Sequence, residues 1–430
     1  MRGRLASKVL YVVLDGAPDS LSSPRRALEE AVKPNIDSLA ERGVCGLMYT
    51  VAPGVAPQSD VATLSLLGYN PEEHYPGRGP LEALGAGLAL GPGAIALRAN
   101  FATVDARTWR ILDRRVGRSL TSREARVLAE AVDGMGLDGG WGLARFRATI
   151  GHRGVLVLSH KRYNLSDAIS NTDPAYERRG RISVALEKFE PVIRRSVPLE
   201  DSEGAMVAAR MVNEFTERAI EVLDRHPVNL ERARRGLPKA NAILLRDAGK
   251  MSEKPPSFED RFRLKAASIV EMVVERGIAR YLGVSDVSIN INLEEVGVEE
   301  RLEAEAKAAL ESLESNSFQL VYVHLKGPDE PGHDGDFEGK VKAIEAIDRH
   351  FFNVILNSVG DDVAFIVTSD HATPWDKGAH SSDPVPVLIS WEGAPRGPGS
   401  FNEVACREGR LGVIDRGYKL LPEAFRILGV

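Results

Sequence analysis

Cysteine is nearly absent from this chain of 430 residues. Cys45 and Cys406 are the only two, and they stand far apart. That excludes a disulfide framework and a thiolate zinc site, and a reducing cytoplasm is the expected setting. An excess of one charge is also missing. Fifty-five basic residues meet 61 acidic ones, for a formal charge of −6. No general pull toward nucleic acid or an anionic membrane follows, although a local basic pocket for a small anion stays open. No run reaches the ~18 consecutive apolar residues of a membrane helix. The start, MRGRLASKVLYVVLDG, sets basic residues before an apolar run, but that run is too short for a cleaved leader and ends at Asp15 and Gly16. Internal repeats and low-complexity segments are lacking. The glycine-rich stretch 70–93 carries no GxGxxG after a strand, which argues against a dinucleotide site.

What is present is globular: 43% hydrophobic and 27% charged residues, with length for a large core and two or three lobes. KVLYVVL, at Lys8–Leu14, is continuously apolar and suits a buried parallel strand. Pro34 opens a helix that Gly43 closes. Further strands are expected over 94–105, 154–158, 242–245, 318–325, 363–367 and 385–390, with Pro386 marking an edge or bulge. Helices are expected over 121–131 with Thr121 as a cap, 203–223 ended by His226-Pro227, 263–275, 302–313, 340–358 and 423–428. The stretch 181–200 is turn-prone, and 70–93 is loop-like. Strands alternate with helices at both ends of the chain, whereas 94–196 is richer in arginine and has shorter elements. The expected fold is therefore α/β. A doubly wound, mostly parallel sheet would be built from 1–93 and 197–430, with a smaller α+β lobe inserted over 94–196.

The chemistry gathers at strand ends and loops, where open α/β sheets place their sites. Asp15 follows the first strand, and Asp370 and His371 follow 363–367. Asp329 and His333 are four apart with Pro331 and Gly332 between them, which predicts a loop rather than a helix; His380 closes the series. Ser59 begins SDVATLSLLGY, a helix ending at Gly68. A serine there is most often an N-cap, but a helix start also favours a nucleophile that carries an anion. Three carboxylates, three imidazoles and one hydroxyl would serve two divalent ions, and O/N donors without thiolate suit Mn²⁺ or Zn²⁺. Such ions support phosphoryl transfer, with Ser59 as the attacking hydroxyl. His160, Lys161 and Arg162 form a cationic cluster at a strand end. It is either a solvated surface or an anchor for a substrate phosphate or carboxylate.

Segments that run almost end to end resemble one family. They are VVLDG (12–16), KPNIDSLAERG (33–43), APQSDVATLSLLGYNP (56–71), GRGPLEALGAG (77–87), RANFATVD (98–105) and HPVNLERARRGLPKAN (226–241). The most specific are VHLKGPDEPGHDGD (323–336) and SDHATPWDKGAHSSDPVP (369–386). The chain resembles the archaeal-type cofactor-independent phosphoglycerate mutases of the alkaline phosphatase superfamily. That resemblance implies an isomerase of glycolysis and gluconeogenesis, interconverting 3- and 2-phosphoglycerate without bisphosphoglycerate. It implies one ion on Asp329, His333 and His380, and another on Asp15, Ser59, Asp370 and His371. Mn²⁺ comes first, with Zn²⁺, Co²⁺ or Mg²⁺ as alternatives. Ser59 would be phosphorylated transiently, and the inserted lobe would close as a lid that excludes water. The expected partner is a small phosphorylated substrate, with no nucleic acid or membrane, and a homo-oligomer stays open. Lys326 stands where the family usually has an acidic residue, and Leu237 replaces a common lysine. Lys326 keeps a second reading open, a related phosphotransferase or phosphatase acting on another small phosphorylated metabolite.

Overall fold

A computed structural model describes residues 6–180, 182–251, 254–289 and 296–430. The basic start, 1–5, and Arg181 of the turn-prone stretch lie outside it. The strands in chain order are β1 (Lys8–Leu14), β2 (Gly43–Met48), β3 (Ile95–Val104), β4 (Ile111–Asp113), β5 (Met135–Leu137), β6 (Gly142–Ala148), β7 (Arg153–His160), β8 (Tyr176–Arg179), β9 (Ile182–Ala185), β10 (Ala242–Gly249), β11 (Ala266–Val270), β12 (Ser285–Asp286), β13 (Leu320–Leu325), β14 (Val363–Thr368), β15 (Val385–Ser390) and β16 (Gly412–Ile414). The chain forms two compact units: 1–75 with 255–272 and 282–430, and 76–254 with 273–281.

The first unit is an eight-stranded sheet in the order β12-β11-β13-β1-β14-β15-β2-β16. β1 pairs in parallel with β13 and β14, and β11 with β13. β15 alone runs against its neighbours β14 and β2. The central strands β1, β13 and β14 are buried along almost their whole length and are mostly apolar, as strands covered on both faces are. Tyr11, buried in β1, reaches the Leu66 carbonyl and so ties the helix Ser59–Leu66 to the sheet.

Several expectations change here. Gly43 opens β2 instead of closing a helix, and 263–275 holds the core strand β11 instead of a helix. Pro386 lies on an interior strand; it is tolerated because the β14 ladder stops at Leu388. The expected loop 70–93 contains helices Pro71–His74 and Arg78–Gly85. His226-Pro227 both ends one helix and starts the next, with Pro227 at its first position.

The second unit is α+β. Its antiparallel sheet runs β10-β3-β7-β6-β5, with β4 added beside β3. Helix Glu203–Asp224 buries Val212, Phe215, Ala219 and Leu223 against it. This unit is wider than the expected insert 94–196. The arginine-rich composition stops near 196, but strand pairing continues through β10, which pairs with β3. Among the described residues, no helix is long and apolar enough to cross a membrane.

Candidate active site

Three neighbouring parallel strands build the site by register. Leu14 pairs with Leu325 and Val13 with Thr368, so Asp15, Lys326 and the Ser369–His371 turn leave the same sheet edge. Gly16, at φ +59°, follows Asp15 at once; a Cβ there would lie 2.5 Å from Asp329 Oδ1, so only glycine admits this approach. Asp370 Oδ1 accepts from the backbone N–H of Gly16 and of His371, at 3.1 and 3.0 Å. Its Oδ2 is buried without a hydrogen bond, as is Asp15 Oδ1. Both oxygens converge on His371 Nε2, at 3.1 and 3.5 Å. Ser59 Oγ stands 3.2 Å from the same nitrogen.

Ser59 is the first helical residue, while Gln58 takes the cap position and makes no side-chain cap bond. The N-cap alternative is therefore excluded. The expected loop at Asp329 is also a helix, Asp329–Asp334. Pro331 fits in its first turn, where the backbone N–H has no helical partner to lose. Asp329 and His333 thus lie one turn apart, with His333 Nε2 3.5 Å from Asp329 Oδ2. His380 Nε2 lies 3.6 Å from Asp329 Oδ1, and its ring stacks on His371 at 3.6 Å.

The second nitrogen of each imidazole fixes the tautomer. His333 Nδ1 lies 3.0 Å from the Gly378 carbonyl and His380 Nδ1 lies 2.8 Å from that of Pro57, so both must donate. His371 Nδ1 lies 3.0 Å from Thr373 Oγ1, which donates its one proton to Asp329 Oδ1 at 2.6 Å. His371 Nδ1 must then be the donor as well. In all three histidines Nδ1 is held as a donor and Nε2 faces carboxylate oxygens, so that loss of the Nε2 proton would leave its lone pair for a metal. Burial, the largest influence, lifts the Asp15 carboxyl to about 6, against Lys326 and with Asp370 adding to the lift. Burial would also raise Asp370, but His371 and His324 hold it well below the usual range. At Asp329 burial is outweighed by the His380 hydrogen bond, the His371 charge and the Thr373 hydrogen bond, which bring it down to about 2. The donor atoms fall into two groups that could each hold an ion, Asp15 with Asp370 and His371, and Asp329 with His371 and His380.

Residues 40–229 match the family described as 2,3-bisphosphoglycerate-independent phosphoglycerate mutase. A relative of that name from Aeropyrum pernix is 65% identical over 425 residues, covering 98% of this chain and 99% of its own. The chain belongs to the 2,3-bisphosphoglycerate-independent phosphoglycerate mutase family. Another relative of that name, from Archaeoglobus fulgidus, is 41% identical, with 98% of each chain covered. Among solved structures, the cofactor-independent phosphoglycerate mutase of Thermoplasma acidophilum is similar with a TM-score of 0.65 at 30% identity, covering 98% of this chain and all of that one. A Pyrococcus horikoshii protein reaches 0.78 at 29% identity, covering 99% and 98%.

The second unit gathers cationic side chains at a place the sequence did not mark. A cavity of about 400 Å³ is lined by Arg98, Arg114, Arg115, Arg118, Arg153 and Arg246, with Asn100, His152 and Tyr176. Glu82, Asp173 and Asp247 pair with Arg98, Arg114 and Arg246. Arg115, Arg118 and Arg153 have no ion pair among the described residues. The uncompensated charge is felt: burial and Arg98 push the Arg246 guanidinium down to about 10, and burial with Arg153 and Arg115 pushes His152 down to about 4.

In the expected anchor, His160 with Lys161 and Arg162, two of the three side chains already have partners. His160 ends β7 while Arg153 begins it, so the cluster and the cavity stand ~23 Å apart on strand geometry. His160 Nε2 pairs with Asp138 at 3.0 Å, and Arg162 stacks on Trp141 at 3.2 Å. Both side chains are committed to holding a loop.

His324, Thr373 and Lys340 were also not anticipated. His324 Nε2 lies 3.6 Å from Asp370 Oδ2, but its place inside an apolar strand hides it. Buried Lys340 holds the site's floor: Nζ donates to Pro18 O, Asp19 Oδ1 and Thr373 O at 3.1, 2.8 and 2.7 Å.

Proposed function

We propose that this chain carries out the isomerisation of its family, 3-phosphoglycerate to 2-phosphoglycerate and back, through Ser59 and without bisphosphoglycerate. The observation that carries this is Ser59 Oγ at 3.2 Å from His371 Nε2, on the nitrogen that Asp15 and Asp370 also face. Asp15 Oδ1 and Asp370 Oδ2, buried and without hydrogen bonds, fit the donors of a divalent cation. Asp15, Asp370, His371 and Ser59 would hold one divalent ion, and Asp329, His333 and His380 the other. Mn²⁺ suits these donors first, with Zn²⁺, Co²⁺ or Mg²⁺ as alternatives. When bound, the ions lower the pKa of the hydroxyl and offset charge on the phosphoryl oxygens.

The chain's own residues do the rest. Ser59 Oγ forms a bond to phosphorus as the bond to the glycerate oxygen breaks. The proton that Ser59 gives up is matched by one taken up at that oxygen. The other glycerate hydroxyl then reverses both transfers. The positive end of helix Ser59–Leu66 favours the phosphorylated serine. The arginine cavity of the second unit has the chemistry to bind a carboxylate or phosphate, which guanidinium meets bidentately.

The test is direct. Purified protein with Mn²⁺ and 3-phosphoglycerate, given no bisphosphoglycerate, is expected to form 2-phosphoglycerate by phosphorus NMR, and chelator should stop it. Ser59→Ala should keep fold and metal content but lose turnover by about a thousandfold or more. Normal turnover in that variant would remove Ser59 as the nucleophile. Free phosphate as the main product would favour the phosphatase reading.

A further inference from the structure

The parallel register that aligns Leu14 with Leu325 also sets Asp15 beside Lys326. Lys326 Nζ lies 3.1 Å from Asp15 Oδ2, on the carboxylate oxygen opposite the bare Oδ1. Both side chains are largely covered, at 15% and 11% exposure, so water screens the pair weakly. Arg301 Nη2 donates to the Lys326 carbonyl at 3.2 Å and fixes the backbone from which the ammonium extends. The Asp329 group differs. Among the described residues its ion-pair partners are histidines, with no lysine or arginine.

We propose that Lys326 is a built-in competitor for the Asp15 carboxylate, a positioning residue that limits how tightly the Ser59-side group holds its divalent ion. This rests on the two-ion reading above. Lys326 occupies Oδ2 and leaves Asp15 a single oxygen to offer. It also cancels one of the two negative charges that Asp15 and Asp370 bring together. Two uncompensated carboxylates would neutralise a divalent ion and leave little charge for the phosphoryl group on Ser59. With Lys326 in place, the group and its ion keep a net positive charge, the sign that phosphoryl oxygens need. Arginine would preserve the charge; methionine or glutamine would remove it.

The experiment counts Mn²⁺ on the full-length protein after chelator treatment, with free Mn²⁺ followed by electron paramagnetic resonance. The parent is expected to bind two ions. In Lys326→Met and Lys326→Gln, one site should tighten at least about tenfold, the effect of one charge on a divalent ion across a few ångströms even under water-like screening, while the other stays unchanged. Lys326→Arg should stay near the parent, and adding Asp15→Asn to Lys326→Gln should abolish the gain. Two sites of unchanged or weakened affinity in both neutral variants would overturn the competitor role and leave the two-ion reading standing. A parent that binds fewer than two ions would overturn both.

Discussion

The hydroxyl of Thr373 has one proton and two partners. It gives that proton to Asp329 Oδ1 and accepts from His371 Nδ1, so it joins the two ligand groups and sets the imidazole tautomer. Thr373→Val keeps the shape but strands a buried carboxylate oxygen and an N–H. Mn²⁺ affinity and turnover are expected to fall about tenfold to a hundredfold, whereas Thr373→Ser should retain most of both. Isothermal titration and initial rates on the two variants decide it, and equal losses would deny the hydroxyl its role. The clustering of Asp15, Ser59, Asp329, His333, Asp370, His371 and His380 was legible in the sequence because they lie where apolar strands end or in the segments that follow. Thr373 and Lys340 were not, because their roles exist only once residues far apart in sequence meet. Nor were the arginines: Arg98, Arg153 and Arg246 lie one each on β3, β7 and β10, while Arg114, Arg115 and Arg118 follow β4, and a single guanidinium on a strand or turn reads as a solvent-facing side chain until the cavity is seen.

At the scale of elements, long apolar periodicities were read correctly, as in β1, β14 and helix Glu203–Asp224. Short elements were harder. AASIV holds two alanines, which read as helix, yet as β11 it is buried throughout because it lies between β12 and β13. Helices Arg78–Gly85 and Val273–Leu282 owe their crossing to two glycines. A Cβ on Gly277 would collide with the Leu81 carbonyl oxygen, and one on Gly85 with that of Val273. Arg280 Nη1 then reaches the carbonyls of Leu84 and Gly85 at 2.7 and 3.1 Å. Gly277→Ala is expected to push the helices apart at a cost of about 2 kcal/mol, since backbone cannot yield as a side chain can. Hydrogen exchange should show the loss first in 78–85 and 273–281. Protection equal to the parent there would refute the crossing as drawn.

For the molecule as a whole, stability is expected to depend on pH through Glu403. Burial lifts this carboxyl from its ordinary 4.5 to about 7, and Oε2 has no hydrogen-bond partner, as suits an acid that keeps its proton. The folded chain then holds a proton that the unfolded chain releases. Stability is full below pH 4.5, falls as pH rises through the window from 4.5 to about 7, and stays lower above it by about 3 kcal/mol. Glu403→Gln, whose carbonyl can still accept from Asp19 N–H, should remove that fall and gain stability at pH 8. Denaturant midpoints at pH 5 and pH 8 measure it; an identical pH slope in both proteins would rule the group out. The division into units was legible as a shift in composition, but its limits were not, because strand β10 pairs with β3 regardless of what composition does.

The position of β1 has a consequence for how the chain comes off the ribosome. This strand is made first, yet its two neighbours are β13 and β14. KVLYVVL must therefore wait, unpaired and apolar, until translation has passed Leu325, and it gains its second neighbour only after Thr368. The second unit has every strand and helix it needs once Tyr281 has emerged. It can thus close while the sheet beneath Ser59 is still being assembled, so the unit that gathers Asp15, Ser59 and Asp370 is the last part of the nascent polypeptide to take shape.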